Sequence, residues 1–384
     1  MKRETMTPKE RLEAAINLQE PDRVPVCPMI NWVAARHAGI TMQEFIENPE
    51  ANIAAQHKLF DDLGGWDGTL STGAIDPSAF ASVMPVRVKL PGKELPPDSI
   101  WQIDEKEVMT VEDYDIIIKK GWNKFLSNDM KPRILPGDSV SFFGKMKSYA
   151  KLLGLFLGMK KDIRYYEKRG VPAMMGGGSS LPFDVFSMGR SMTQFTLDLY
   201  RRPEKVIAAM DATLPDLIDF ALLGVKVTGI RKVFIGSARG GSAFISPKQF
   251  ERFFLPWLKK MVEALAANDI ITILHFDQDW TLHLPYLKEL PKGKCILHTD
   301  SATDIFKAKE ILGGHMCLMG DVPATLFKLG TPQQVETYCK RLIDVVGKGG
   351  GFILSSGCEV PVDAKFENLQ AMIQTGKTYY PHHN

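Results

Sequence analysis

Ile271-Thr-Ile-Leu-His-Phe-Asp-Gln-Asp-Trp280 decides how the chain is read. Four β-favouring residues run into His275, and Asp277, Asp279 and Trp280 crowd behind it. A short apolar run of this kind predicts a buried parallel strand. Polar residues at its carboxyl end stand where α/β proteins place their chemistry. A second stretch, Gly351-Phe-Ile-Leu-Ser-Ser-Gly-Cys-Glu359, ends in the same way and presents Cys358. The expectation is that His275 and Cys358 meet at one mouth and hold a metal.

Outward from this strand the pattern is regular. Strands are expected at 171–176, 232–236, 270–275, 294–299, 315–320 and 351–356, with helices over 190–222, 246–267, 304–312 and 331–346. Strict alternation of strand and helix indicates a parallel sheet. Upstream, Thr7-Pro-Lys-Glu10 is a capping box with proline at the first helical position, opening a helix to about Gln19. Arg23 to Ile30 reads as a strand whose prolines suit an end or edge position. Thr41 to Leu63 reads as helix and Trp66 to Gly73 as a second short strand. Eight strands in all imply an α/β fold, a single (β/α)8 TIM-type barrel domain over 1–384 with an N-terminal helix. Residues 74–170 form a long insertion after the second strand, with a hairpin from Val86 to Ile103 and helices from Val111 and from Val140. So long an insertion is either part of the site wall or an oligomer contact, as in a homodimer.

Composition narrows the function. A net charge of +2 over 384 residues implies no polyanionic partner, and no basic stripe interleaves with aromatics. Nucleic acid is therefore excluded as a ligand. Five widely spaced cysteines are not a disulfide framework and fit a reducing compartment. Without a signal peptide or an apolar run long enough to span a bilayer, the protein is expected to be cytoplasmic and free of the membrane.

In a barrel, the residues just past each strand share one face. They are Asn31 and Trp32, then Ser71 and Thr72, then the Gly176–Ser180 run with Gly177, then Ser237 and Arg239. The later strands add His275, Asp277 and Asp279, then His298 and Asp300, then Asp321, then Cys358 and Glu359. Imidazole, thiolate and carboxylate all suit zinc, and a His-x-Asp pair on extended backbone points both side chains to one side. Three protein ligands and one open position make a catalytic zinc site. The competing reading is a hydrogen-bonded histidine and a buried thiol packed near strand ends. His298 and Asp300 form a second His-x-Asp, either a further ligand or acid/base pair or polar lining of the pocket. The glycine run lacks the spacing of a nucleotide fingerprint, but it offers bare backbone to a ligand.

Taken with Pro21-Asp-Arg-Val-Pro-Val26, Glu112-Asp-Tyr-Asp115, Gly320-Asp-Val-Pro323 and the 351–358 strand, the chain resembles the uroporphyrinogen decarboxylase superfamily over nearly its whole length. That resemblance implies the same barrel. The decarboxylases carry Arg-Gln-Ala-Gly-Arg-Tyr after the first strand, where this chain has Asn31-Trp-Val-Ala-Ala-Arg-His-Ala-Gly39. The missing arginine pair disfavours porphyrinogen decarboxylation. The other branch comprises zinc- and corrinoid-dependent methyltransferases, whose coenzyme M-methylating members bind zinc with His-x-Cys and a cysteine after the last strand. Here His275 and Cys358 hold those places and Asp277 replaces the middle cysteine.

The resemblance therefore implies Zn²⁺ on His275, Asp277 and Cys358. It also implies methyl transfer (an O-demethylation of a small methoxylated substrate) to a corrinoid, cobalamin, carried by a separate corrinoid protein. Asp321, Glu359 and His298 are the expected acid/base residues. Asn31, Trp32, Ser71, Gly177, Arg239 and Asp300 are expected to line the substrate. Two rival assignments are a lyase of a smaller acid clamped by Arg36, Arg190 or Arg239, and a non-catalytic tetrapyrrole-binding module ligated through His275.

Overall fold

The computed structural model describes residues 4–77, 84–134, 146 and 158–380. The helix expected from Val140 lies outside them. Thr7 and Glu10 cap the helix Pro8–Ile16 reciprocally, as the capping box requires. Within the insertion, β1 (Arg87–Lys89) and β2 (Gln102–Asp104) pair antiparallel.

The main sheet is parallel and runs in chain order: β3 (Gly177–Ser179), β4 (Lys232–Ser237), β5 (Ile271–Phe276), β6 (Cys295–Thr299), β7 (Cys317–Val322) and β8 (Phe352–Ser356). Two further staves close it into a barrel. Val26 bridges Leu354 of β8, the amides of Asp67 and Gly68 donate to the Val26 carbonyl, and Thr69 bridges Ala173 just ahead of β3. These staves are single bridges rather than strands. Pro25 and Pro28 flank the first and Pro172 faces the second, and proline has no N–H to give a ladder. The same absence explains why the strand expected over 171–176 becomes regular only at Gly177.

Prolines also break helices that the apolar spacing shows as continuous. The 41–63 stretch divides into Met42–Glu47 and Pro49–Asp62, 190–222 into Met192–Arg201 and Pro203–Thr228, and 246–267 into Pro247–Phe253 and Leu255–Ala267. Each second helix opens with proline in its first turn, where the missing donor costs nothing. No helix among the described residues is long and apolar enough to cross a membrane.

Two apolar cores result. The larger lies between strands and helices. The smaller fills the barrel with Ile273, Ile296, Cys317, Met319 and Ile353, stoppered below by Leu12 and Ile16 of the first helix. Below it, Asp67 takes two bonds from Arg23, one from Arg11 and one from the Val26 amide, all buried. The first helix and this ion-pair cluster cover the amino end of the barrel, opposite the carboxyl-end mouth.

Candidate metal centre

The register of β5 against β6 places His275 opposite His298. Strand period two turns Ile273 and His275 to the same side, and likewise Ile296 and His298, so both imidazoles sit directly above the interior plug. Beyond β5 the ladder continues through the Asp277 amide to the Ser237 carbonyl, which carries Asp277 over the same opening. From β8 the chain reaches Cys358 through Gly357. A Cβ at that glycine would lie 3.1 Å from the Ser301 nitrogen and 3.2 Å from the Asp300 Cα, so the close approach of the two loops uses its bare backbone.

His275, Asp277 and Cys358 therefore converge from strands more than 80 residues apart in sequence. Cys358 Sγ lies 3.7 Å from His275 Nε2 and 3.3 Å from Asp277 Oδ1, and His275 Nε2 lies 3.3 Å from Asp277 Oδ1. A tetrahedral zinc at ordinary bond lengths requires its N, O and S ligands to stand roughly 3.3–3.6 Å apart. The donor set and its spacing fit that ion. His275 is buried and the other two are half-buried, which leaves one side of the triangle facing the mouth.

The electrostatics match the spacing. Burial and the neighbouring Asp277 carboxylate push the Cys358 thiol up. Burial alone would raise Asp277, but bonds from His275 and Cys358 hold it below the usual carboxylate range. Behind the triangle, His275 Nδ1 meets His298 Nδ1 at 3.0 Å, and His298 Nε2 meets the Ser356 carbonyl at 2.9 Å. The Phe234 ring stacks on His275 with centroids 5.3 Å apart. Phe234 and the Ser356 carbonyl were not among the expected site groups. Phe234 was legible from alternation along β4, whereas a backbone carbonyl leaves no sequence signal.

The other expected residues have settled into supporting positions. Glu359 accepts from the amides of Asn31 (2.6 Å) and Trp32 (3.1 Å) and from Asn31 Nδ2 (2.5 Å), at the start of the short helix Val33–Ala38. Burial pushes its carboxyl up to about 8 against the pull of those donors. Ser71 Oγ donates to Asn31 Oδ1. Asp300 is filled by the amides of Gln278 and Ala302, and so shapes the loop after β5. Asp321 takes the Tyr338 hydroxyl from the outer helix Pro332–Val345 at 2.8 Å, and burial pushes it up to about 7. Gly177 is turned away from the mouth. A Cβ there would lie 2.9 Å from the Ala221 carbonyl oxygen and 3.3 Å from the Gly224 Cα, so its bare backbone serves the contact between β3 and Pro203–Thr228 and not a ligand.

The insertion reaches the same rim. Trp101 packs edge-on to Trp32, Glu105 pairs with Arg239, and Glu107 pairs with Arg190. These contacts lay the hairpin segment against the loops after the first stave, β3 and β4.

Comparison with known proteins bears on the family and the fold. Residues 160–379 match the family model described as uroporphyrinogen decarboxylase (URO-D). A methylcobamide:CoM methyltransferase, MtbA, of Methanosarcina mazei is 28% identical over 236 residues, covering 61% of this chain and 67% of that one. A uroporphyrinogen decarboxylase of Geotalea daltonii is 27% identical over 178 residues, covering 46% of this chain and 50% of that one. Among solved structures, a methyltransferase from Methanosarcina mazei superposes with a TM-score of 0.68 at 19% identity, covering 97% of this chain and 98% of that chain, a likeness of fold.

Proposed function

From the premise that this chain belongs to the uroporphyrinogen decarboxylase family, we propose that it is a zinc- and corrinoid-dependent methyltransferase. It would act on a small methylated, and by preference methoxylated, substrate and work with a corrinoid protein. The observation that carries the reading is the triangle of His275 Nε2, Asp277 Oδ1 and Cys358 Sγ, whose edges suit one tetrahedral ion with a position to spare. Zinc bound there supplies a Lewis acid that polarises the heteroatom carrying the methyl group.

The chain's own residues do the rest. Asp277 in place of a second thiolate gives a harder ligand set, which favours oxygen over sulfur as the polarised atom. The buried His298 and the half-buried Phe234, which stacks on His275, form the base of the site. Glu359 holds Asn31 and the short helix behind it, which fixes one wall, and the insertion contributes another through Trp101 and Glu105. Asp321 accepts the Tyr338 hydroxyl and so ties the end of β7 to the outer helix Pro332–Val345. All five cysteines are unbridged, in keeping with a cytoplasmic setting where thiols stay reduced.

The three arginines named for the acid-lyase assignment are engaged elsewhere or turned outward. Arg190 is committed to Asp198 and Glu107, Arg239 to the Ser187 carbonyl and Glu105, and Arg36 stands on the exposed face of its helix. The test is spectroscopic. The zinc-loaded protein is mixed with reduced cobalamin and a panel of methoxylated aromatics and methylamines, and separately with methylcobalamin and a thiol. Conversion of cobalt(I) to methylcobalamin with a methoxylated donor supports the full reading. Thiol-dependent loss of methylcobalamin alone keeps methyl transfer but reverses the substrate assignment. No change in either arm, with zinc bound, refutes it.

A further inference from the structure

We propose that His298 is a positioning residue that aims the ligating nitrogen of His275, through a proton relay fixed by the Ser356 carbonyl. The inference rests on reading His275, Asp277 and Cys358 as a metal site, and it concerns what makes that site ready.

The argument follows hydrogen-bond direction. A backbone carbonyl only accepts, so the 2.9 Å contact from His298 Nε2 to the Ser356 oxygen requires the proton on Nε2. The alternative partner, Ser355 Oγ, stands at 3.5 Å, the outer limit of a bond. A His275 ring that offers Nε2 to an ion keeps its proton on Nδ1, and the fully buried His298 ring faces that proton. Its Nδ1 must then be an acceptor. The atom that faces it at 3.0 Å is His275 Nδ1, which is therefore the donor. With its Nδ1 proton committed there, His275 presents Nε2 to Asp277 Oδ1 at 3.3 Å and Cys358 Sγ at 3.7 Å, as a ligand in the triangle.

The relay does two things at once. It fixes the rotation of the His275 ring, which Phe234 stacks but does not orient. It also makes the supporting group a neutral acceptor, where a carboxylate would draw the His275 proton and strengthen the ligand's donation. With one thiolate, one carboxylate and one neutral imidazole, the protein ligands then balance a dication without excess negative charge. The sequence carries the device as a repeat: Ile273-Leu-His-Phe-Asp277 and Ile296-Leu-His-Thr-Asp300 lie in register on adjacent strands.

Two substitutions separate the relay from simple packing. His298→Asn can keep an acceptor oxygen near the Nδ1 position facing His275, but it is too short to reach Ser356. His298→Gln can keep a donor toward Ser356 and is closer to histidine in size, but it has no acceptor at the δ position. The relay predicts that His298→Asn retains zinc affinity within a few-fold and that His298→Gln loses on the order of 10- to 100-fold. A packing role predicts the reverse ranking. The accompanying measurement is imidazole ¹⁵N NMR of histidine-labelled, metal-free full-length protein. The relay requires His298 protonated at Nε2 and bare at Nδ1, and a proton on His298 Nδ1 would overturn it. That readout stands apart from metal binding. If the wild type takes up no zinc, the metal reading falls while the tautomer still judges the relay.

Discussion

Replacing Cys358 with alanine removes the sulfur that stands 3.7 Å from His275 Nε2 and 3.3 Å from Asp277 Oδ1. A four-ligand structural zinc site is worth about 10–16 kcal/mol, so one ligand carries on the order of 3–4 kcal/mol, or a factor of roughly 100–1000 in affinity. The metal-free fold should lose little, because the thiol gives up a bond worth about 1 kcal/mol. The assay is urea unfolding in zinc buffered at 100 times the wild-type Kd. Linkage then stabilises the wild type by about 2.7 kcal/mol, whereas a variant weakened 100-fold gains only RT ln 2, about 0.4 kcal/mol. A gap of about 2.3 kcal/mol between the two zinc-induced gains is the expected result. Equal gains in both proteins would show that the sulfur is not a ligand and would refute the reasoning.

Other perturbations test the frame around the site. Asp67→Ala leaves the buried guanidiniums of Arg11 and Arg23 short of their shared partner and should cost about 3–5 kcal/mol in urea unfolding, with zinc affinity unchanged in the folded fraction. Gly357→Ala sets a methyl 3.1 Å from the Ser301 nitrogen, which forces the two loops apart and draws Cys358 off the triangle. Zinc titration should show affinity weakened roughly tenfold with the fold intact by circular dichroism. Asp184 is buried, takes bonds from Ser237 Oγ and the amides of Ala238 and Arg239 on one oxygen, and is pushed up to about 7 by burial. Its folded pKa lies above the unfolded value near 3.9, so its contribution is full below about pH 4 and is lost as pH rises through about 7. The stability of the wild type relative to Asp184→Asn should fall across that window, and a flat difference would show the carboxyl to be unperturbed.

The barrel was legible because its strands are apolar, similar in length and separated by helices with strong starts. β4 to β8 stand within a residue or two of their expected positions. What the alternation could not show was the effect of prolines. Pro49, Pro203 and Pro256 split helices whose apolar faces run on across the break, and Pro25, Pro28 and Pro172 reduce two staves to single bridges. The convergence of His275, Asp277 and Cys358 was readable from strand ends and period two, since these place side chains by rule. The fate of the second-ranked polar residues was not. Glu359, Asp300 and Asp321 differ little from Asp277 in sequence context, but loop amides and an outer-layer tyrosine take them up. Gly177 illustrates the same limit, because bare backbone that serves a helix looks identical in sequence to bare backbone that serves a ligand.

X-ray absorption at the zinc edge of the loaded full-length protein bears most directly on the central claim. A first shell with one sulfur at about 2.3 Å and nitrogen or oxygen neighbours at about 2.0–2.2 Å is the predicted result. A shell without sulfur, or zinc that washes out entirely on gel filtration, would contradict it.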